Sequence, residues 1–209
     1  TIICNIDYII LSQTVSIDSI VAYSIIYKIS VTVISISTSM LHAVWPFAIE
    51  WIMKNDWPKL INIINKYMSI GFFTILCFFA VLTLFQKQVF LLLAPGANLM
   101  IEFSTIVLFT IYLIVRVWTD FFTVLVQAIN DINNLIFLAC FQAIASIALQ
   151  IVLAQIWGVN GILVGLILSS ILTVSWALPL RLKKIKSIGY KNITKGQMTV
   201  LPIIIKQKN

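Results

Sequence analysis

Four ionisable side chains interrupt the apolar segments of this sequence and are its best candidates for chemistry: Asp7, Lys28, Arg116 and Asp120. A charge at membrane depth costs about 2.5 kcal/mol or more, so such groups are expected to face a polar cavity or one another. A guanidinium and an ammonium together suit a phosphate group. Lys28 and Arg116 therefore predict a cationic cavity for an anionic ligand, with Asp7 and Asp120 beside it.

Each of these residues also has a structural interpretation. The long stem of Lys28 allows its ammonium to reach towards the headgroups. Arg116 and Asp120 are four residues apart, the spacing of an ion pair along one helix. Asp7 could neutralise Lys28 across two adjacent helices. The sequence alone leaves both interpretations open.

Three tyrosines accompany these charges near the start of the chain. Tyr23 and Tyr27 share one helix face at a spacing of four residues, and Tyr8 precedes them. This pattern is typical either of anchoring at the membrane interface, which we favour, or of a surface that stacks on sugar rings. Tyr23 and Tyr27 are therefore included among the candidate cavity residues. His42, the single histidine, is predicted to be a polar residue on its helix, with a proton relay as the alternative.

The sequence offers no arrangement typical of an enzyme or a metal site. It contains no nucleophile with a neighbouring base, no paired carboxylates and no glycine-rich phosphate loop, so we predict a protein that is not an enzyme. Cys4, Cys77 and Cys140 are too widely spaced for a zinc site or a disulfide framework and are predicted to be free buried thiols. We predict no cofactor.

Composition indicates an integral membrane protein. The 209 residues are 61% hydrophobic and 10% charged, with a mean hydropathy of +1.05, whereas soluble domains have about 25% charged residues. The net charge of +7 lies mostly at helix ends and in the C-terminal tail. Because these charges do not form a stripe along a folded face, nucleic-acid binding is not expected.

The apolar segments predict an all-α transmembrane bundle of about six helices, since a helix needs about twenty apolar residues to cross a bilayer. The first helix is partial, and we expect the chain to begin inside it, as a fragment would. The predicted segments are Thr1–Leu11, Ile20–Pro46, a helix that starts at Pro58 and is wholly apolar over Ile70–Phe85, and then Met100–Ile129, Leu135–Ile156 and Gly161–Leu180. Val89–Leu93 is too short to cross and is predicted to lie along the interface. Residues 1–180 form the helical lobe, and residues 181–209 form a basic tail.

The tail sets the predicted orientation, because basic residues flanking a membrane helix stay on the cytoplasmic side. Counting back from a cytoplasmic tail places Lys54 and Lys59 inside and Lys87 outside. The tail could also bind anionic lipids, but a topology signal is the favoured interpretation. Gly158, Gly161 and Gly165 are predicted to form a packing face, since small residues let membrane helices approach closely.

Several short runs resemble one protein family. They are Asp7-Tyr8-Ile9-Ile10-Leu11, Val21-Ala22-Tyr23 with Tyr27-Lys28, Trp45-Pro46, Gln127-Ala128-Ile129-Asn130 and Trp157-Gly158-Val159-Asn160-Gly161-Ile162-Leu163. Their order is similar to that in bacterial polysaccharide and O-antigen flippases of the multidrug/oligosaccharidyl-lipid/polysaccharide exporter superfamily. The resemblance implies the C-terminal six-helix lobe of a twelve-helix transporter in the bacterial inner membrane, with a cytoplasmic C-terminus.

The resemblance also implies a function. Such a transporter moves an undecaprenyl-pyrophosphate-linked oligosaccharide, an O-antigen or capsule repeat unit, by alternating access between two lobes. Lys28 and Arg116 would then be candidates for contact with the pyrophosphate or with acidic sugars, and the partner would be the N-terminal lobe.

Three alternatives remain at this point. A multidrug exporter of the same superfamily is disfavoured because acidic cavity residues would suit cationic drugs, whereas this lobe offers Lys28 and Arg116. A membrane-embedded polysaccharide polymerase or ligase would be expected to have a long outer loop with Arg or His. The longest predicted outer segment, Gln86–Asn98, carries only Lys87. The third alternative is an inactive truncated remnant.

Overall fold

The computed structural model of this chain describes residues 6–94 and 101–188, with side chains as far as residue 183. These residues form five helical elements: α1 (Ile6–Thr14), α2 (Ile17–Met53), α3 (Trp57–Leu93), α4 (Phe103–Ala128) and α5 (Ile132–Ile188). Four stretches are long and apolar enough to cross a membrane: Ile17–Met53, Trp57–Leu93, Phe103–Ala128 and Ile132–Lys183. The predicted all-α transmembrane bundle is confirmed. Most of the predicted basic tail and the start of the first segment lie outside the described residues.

The element α5 is a hairpin of two antiparallel arms. Gly158 breaks the helix with φ 54° and ψ −127°, a left-handed φ that glycine adopts without steric cost. Residues 132–157 form the first arm and residues 159–188 the second. Gln142 on the first arm donates a hydrogen bond to Ser170 on the second, with Nε2 and Oγ 3.0 Å apart. With the two arms counted separately, the described residues contain five long helices and the short α1, as predicted.

Glycines allow the two arms to pack with their backbones in close contact. A Cβ atom at Gly161 would lie 2.0 Å from the carbonyl oxygen of Leu153, and one at Gly165 would lie 2.9 Å from the backbone nitrogen of Gln150. Neither contact leaves room for a side chain. The predicted packing role of these glycines is therefore confirmed.

The turns after α2 and α4 have the same construction. Asn55 and Asn130 take left-handed φ angles of 59° and 62°, and asparagine tolerates this region better than most residues. The amide of the next residue, Asp56 or Asp131, then donates back to the carbonyl oxygen five residues earlier. In each turn, this hydrogen bond satisfies a carbonyl that the end of the helix would otherwise leave free. Each aspartate directly precedes the following helix.

The connections lie at two opposite ends of the bundle. At one end, residues around the two asparagine turns share an apolar cluster, which includes Ile52, Trp57 and Ile129. At the other end, Thr105 at the start of α4 donates to Asn160 after the Gly158 turn, with the two oxygens 2.7 Å apart. The chain thus alternates between two ends, in the order predicted by counting back from the tail.

Helix α4 lies at the centre of the bundle and packs against α2, α3 and both arms of α5. Its buried residues recur every three or four positions, as expected for a helix face in a core. They include Ile106, Phe109, Leu113, Val117 and Phe121. This central position holds α4, and any functional side chain on it, in a fixed orientation.

Two predicted boundaries are wrong. The Val89–Leu93 segment is part of α3, which continues through Gln86–Gln88 after a kink at Phe85 with φ −116° and ψ 21°. Glutamine and lysine are good helix formers, and no glycine or proline interrupts the chain there. Helix α2 likewise runs through Pro46 to Met53.

The prediction of buried cysteines is also wrong for the two that the structure describes. Cys77 and Cys140 are exposed, because apolar residues in this bundle also cover its outer surface. Cys4 lies outside the described residues.

Replacing Gly161 with alanine is expected to destabilise the hairpin by about 1–3 kcal/mol, because the new methyl group would overlap the Leu153 carbonyl. Gly71→Ala is the matched comparison, since its Cβ would meet side chains and no backbone: Val117 at 3.0 Å and Ser37 at 3.9 Å. Thermal unfolding of the purified protein in detergent measures both. Equal losses at the two positions would contradict the close packing of the arms.

A partly exposed charge contact closes one end of the bundle. Arg181 Nε donates to Asp131 Oδ2 at 2.7 Å, and Asn134 Nδ2 donates to Asp131 Oδ1 at 2.6 Å. Burial acts to raise the pKa of Asp131, but the hydrogen bonds from Arg181 and Asn134 outweigh it and the pKa is lowered. The contact ties the end of α5 to the turn that begins it.

Asp131→Asn is expected to lower stability at pH 7 by about 1–3 kcal/mol, the range for hydrogen bonds to charged groups. Because folding lowers the pKa of Asp131, its contribution is complete above the unfolded pKa of about 3.9 and is lost as pH falls through the folded value. Unfolding measured from pH 7 down to pH 3 should therefore show the two proteins converging below about pH 4. A constant difference across this range would disprove the assignment. Lys183→Ala, an exposed change nearby, serves as the control.

Candidate functional site

A cavity of about 370 Å³ lies between α1, α2, α4 and the first arm of α5, and we call it the midspan cavity. Its wall combines aliphatic residues such as Val31 and Ile147 with an unusual number of polar ones for a membrane interior. The polar lining residues are Asp7, Tyr27, Ser30, Tyr112, Arg116, Gln142, Ser146 and Gln150. This mixed lining suits a ligand with both polar groups and an apolar surface.

Asp7 is buried in the bundle, with 8% of its surface exposed. Its Oδ2 accepts a hydrogen bond from the Tyr23 hydroxyl at 3.2 Å, so its partner is Tyr23 and not Lys28. Tyr23 also lines a second cavity of about 310 Å³, which lies at the end of the bundle beside Gly158 and Asn160. The Asp7–Tyr23 hydrogen bond therefore lies between the two cavities.

The predicted tyrosines form one aromatic cluster. The Tyr23 and Tyr27 rings stack with centroids 5.9 Å apart and an interplanar angle of 16°. Tyr8 meets both rings edge-on, and Phe109 of α4 lies 5.4 Å from Tyr23. Because Tyr23 is fully buried and its hydroxyl bonds to Asp7, it does not anchor the protein at the interface as expected. Tyr27 lines the midspan cavity.

Arg116 and Asp120 form the ion pair that their spacing predicts. The guanidinium Nε lies 3.3 Å from the Asp120 carboxylate, with 47% of the arginine side chain exposed. Arg116 lines the midspan cavity, whereas Lys28 is absent from its lining and is exposed. The structure thus brings Asp7, Tyr27 and Arg116 to one cavity and places Lys28 outside it.

Lys28 belongs to a polar stripe along the outer face of α2. The stripe consists of Lys28, Thr32, Ser35, Ser39 and His42, all of which are exposed. Their spacings of three and four residues place them on one side of the helix. Lys28 is about 16 Å from the first residue of α2 along the axis, at 1.5 Å per residue. The stripe therefore extends through the middle of a membrane-spanning element.

The exposed face of α3 provides a contrast. Its most exposed residues in the corresponding region are Phe73, Leu76, Val81 and Leu84, each at least half exposed. Such a face suits contact with lipid chains. Since α2 and α3 have the same length, the difference between their outer faces indicates that they meet different surroundings.

Sequence reasoning missed the polar row on the first arm of α5. Gln142, Ser146 and Gln150 recur every four residues within an apolar segment and share one face. That spacing is a signal that the sequence analysis did not use. Tyr112, one turn before Arg116, was missed because an isolated tyrosine in a membrane helix carries no comparable pattern.

Within residues 6–94 and 101–188, no group of three His, Cys, Asp or Glu side chains is placed to hold a metal ion. The polar residues of the midspan cavity are hydroxyls, amides, the Asp7 carboxylate and the Arg116 guanidinium. Its chemistry is that of hydrogen bonding.

Comparison with known proteins gives three similar relatives. A Yersinia pseudotuberculosis protein named "Putative O-antigen export protein" is 35% identical over 178 residues, which cover 85% of this chain and 41% of the relative. A Salmonella typhimurium protein named "Putative O-antigen transporter" is 33% identical over 179 residues, covering 86% of this chain and 42% of the relative. A Salmonella typhi protein of the same name is 34% identical over 183 residues, with coverage of 85% and 41%.

The chain thus spans about two fifths of the length of these relatives. No family model matches it, and no solved structure matches it. The resemblance drawn from the short sequence runs is confirmed by these relatives.

Tyr23→Phe is expected to destabilise the protein by about 1–3 kcal/mol, because the buried Asp7 carboxylate loses one of its donors and keeps only its hydrogen bonds with its own backbone amide and with Gln150. The aromatic packing of the cluster is retained, so the loss isolates the hydrogen bond. Thermal unfolding in detergent measures it, with Tyr67→Phe on α3 as the matched control. If both variants unfold like the unmodified protein, the Asp7–Tyr23 hydrogen bond does not stabilise the fold and the prediction is wrong.

Proposed function

We propose, from the homology of this chain to bacterial O-antigen transporters, that it forms the C-terminal lobe of such a transporter. In this proposal the complete protein moves an undecaprenyl-pyrophosphate-linked oligosaccharide across the inner membrane by alternating access. Its second lobe lies in the remaining length that the relatives have and this chain does not span.

The polar stripe of α2 is the observation that carries the proposal. Thr32, Ser35 and Ser39 satisfy their hydroxyls by donating to backbone carbonyls of the same helix. Lys28 and His42 have no such means, and a cation facing lipid at this depth is costly. The stripe is therefore expected to border a water-filled path between this lobe and the second one, where a hydrophilic cargo crosses.

The charges divide between the two surfaces in a way that suits this cargo. Lys28 on the stripe is the proposed contact for the pyrophosphate, since an ammonium binds phosphate as a point charge. Arg116 lies at the wall of the neighbouring midspan cavity with its charge already paired to Asp120. Arg116 is the proposed contact for an acidic sugar of the cargo, available when the pair with Asp120 opens.

The proposed orientation places the asparagine turns in the cytoplasm. Lys54, Lys59 and Arg181 are grouped at that end of the bundle, whereas Lys87 belongs to the part of α3 that approaches the other end. This distribution follows the positive-inside rule. It supports a cytoplasmic C-terminus.

A multidrug exporter is the second candidate, favoured by the buried carboxylate of Asp7. A carboxylate in a cavity suits a cationic drug. The two candidates predict different cargo. The experiment described next distinguishes the flippase from the drug exporter in the same cells.

The test is rescue of a strain that lacks its O-antigen flippase by the full-length polypeptide containing this chain. We expect surface O-antigen to return and the lipid-linked oligosaccharide trapped inside the cell to fall. Lys28→Ala should lower the rate of rescue by about tenfold, the effect of losing about 1.4 kcal/mol of binding. Lys66→Ala, an exposed lysine on α3, should leave it unchanged, and Arg116→Ala should lower it.

Failure of the well-expressed, unmodified protein to rescue any of a panel of matched sugar pathways would refute the flippase assignment. Increased resistance to cationic drugs in the same cells would then favour the exporter. If rescue occurs and Lys28→Ala matches Lys66→Ala, the proposed role of the stripe is wrong.

A further inference from the structure

Two fully buried polar atoms in the wall of the midspan cavity have no hydrogen-bond partner among the described residues. They are Ser30 Oγ and Gln150 Oε1, on residues that are 1% and 2% exposed. Leaving such a group unpaired costs about 1–3 kcal/mol. Two of them in one cavity indicate that a ligand or solvent supplies the missing partners.

Ser30 is an exception on its own helix. Other hydroxyls of α2, including Ser24, Thr32, Ser35 and Thr38, donate to backbone carbonyls three or four residues earlier. Ser30 does not, although the same carbonyls are available to a helical serine. Gln150 donates from its amide nitrogen to Ser146 at 2.8 Å and also hydrogen-bonds with Asp7, whereas its oxygen has no partner.

We propose that the midspan cavity binds a sugar residue of the cargo, with Gln150 Oε1, Ser30 Oγ and the Asp7 carboxylate hydrogen-bonding to its hydroxyl groups. This inference rests on the proposed function. It assigns the sugar part of the cargo to this cavity and the phosphate part to the stripe.

The size and lining of the cavity select this class of ligand. At about 30 Å³ for each water molecule, a volume of 370 Å³ corresponds to about twelve waters, and it falls within the range of about 300–1,000 Å³ for small-molecule pockets. An acyl chain would leave both buried polar atoms unpaired. A phosphate would meet the carboxylate of Asp7 and the acceptor oxygen of Gln150, and the charge of Arg116 in the same wall is already paired with Asp120. A sugar ring offers hydroxyl donors to these acceptors and carbon–hydrogen faces to Tyr27, Val31 and Ile147.

The position of the cavity connects it to the stripe. Val31 lines the cavity and is 44% exposed. It lies three residues after Lys28 and four before Ser35, so its neighbours on the helix surface belong to the stripe. A cargo held at Lys28 by its pyrophosphate would therefore have the cavity beside its first sugars.

Binding by the full-length protein in lipid nanodiscs tests the inference with two probes. One is the repeat-unit oligosaccharide released by mild acid from the lipid-linked precursor of the rescued pathway, and the other is undecaprenyl pyrophosphate without sugar. Gln150→Leu and Ser30→Ala should each weaken oligosaccharide binding by about tenfold, as expected when a hydrogen-bonding site loses a partner. Undecaprenyl pyrophosphate binding should change less than twofold.

Matched controls are Gln155→Leu on the same arm and Ser69→Ala on α3, both at exposed positions outside the cavity. They should bind both probes like the unmodified protein. Ser30→Ala removes only one oxygen atom, so it remains informative if Gln150→Leu folds poorly.

Three results would overturn the inference. The first is unchanged oligosaccharide binding in both cavity variants, and the second is an equal loss of binding for both probes. The third is a thermal stabilisation by sodium that is lost in both cavity variants although they still bind the oligosaccharide. The last would make the cavity a cation site. Any of them in a protein that still rescues O-antigen export leaves the proposed function standing. Absence of rescue by the unmodified protein refutes the function itself.

Discussion

A bilayer core contains no water to hydrogen-bond with polar groups, so each polar side chain at membrane depth must find a partner in the protein or border an aqueous space. This constraint explains most of the polar geometry of the chain. Asp7 is paired with Tyr23, Arg116 with Asp120, and Gln142 with Ser170. Among the described residues the exceptions are Lys28 and His42 on the polar stripe of α2, two buried oxygens in the wall of the midspan cavity, and Ser175 Oγ outside it. The proposed function depends on the stripe and on the cavity.

The α5 hairpin makes the cavity possible. Gly158 turns the chain back, and Gly161 and Gly165 let the second arm approach the first until backbones touch. The contact at Gly165 falls on Gln150, a residue of the cavity wall whose oxygen has no hydrogen-bond partner. Close packing therefore fixes the backbone of a residue proposed to contact cargo, and the small-residue face has a consequence for binding as well as stability.

Hydropathy and helix spacing predicted much of this arrangement. Uninterrupted apolar runs indicated the long helices, glycines indicated the arm contacts, and a spacing of four residues indicated the Arg116–Asp120 pair. These features are local in sequence.

Features that depend on how helices rotate against one another were not predictable in this way. The partner of Asp7 is Tyr23, and Lys28 faces away from the cavity lined by Arg116. Helix rotation is set by packing around α4, which no local pattern specifies. The continuation of α3 beyond Phe85 was missed because its polar residues resembled a loop, although they favour a helix.

The most direct test of the central claim is whether water reaches the polar stripe of α2. In a full-length protein with all of its native cysteines, including Cys4, Cys77 and Cys140, replaced by alanine, single cysteines at Ser35 and Leu76 would be treated with a membrane-impermeant, water-soluble thiol reagent. Both positions are exposed, one on the stripe and one on the apolar face of α3. The account predicts that the cysteine at position 35 reacts and that the one at position 76 does not. Equal lack of reaction at the two positions would show that the stripe faces no aqueous path and would contradict the account.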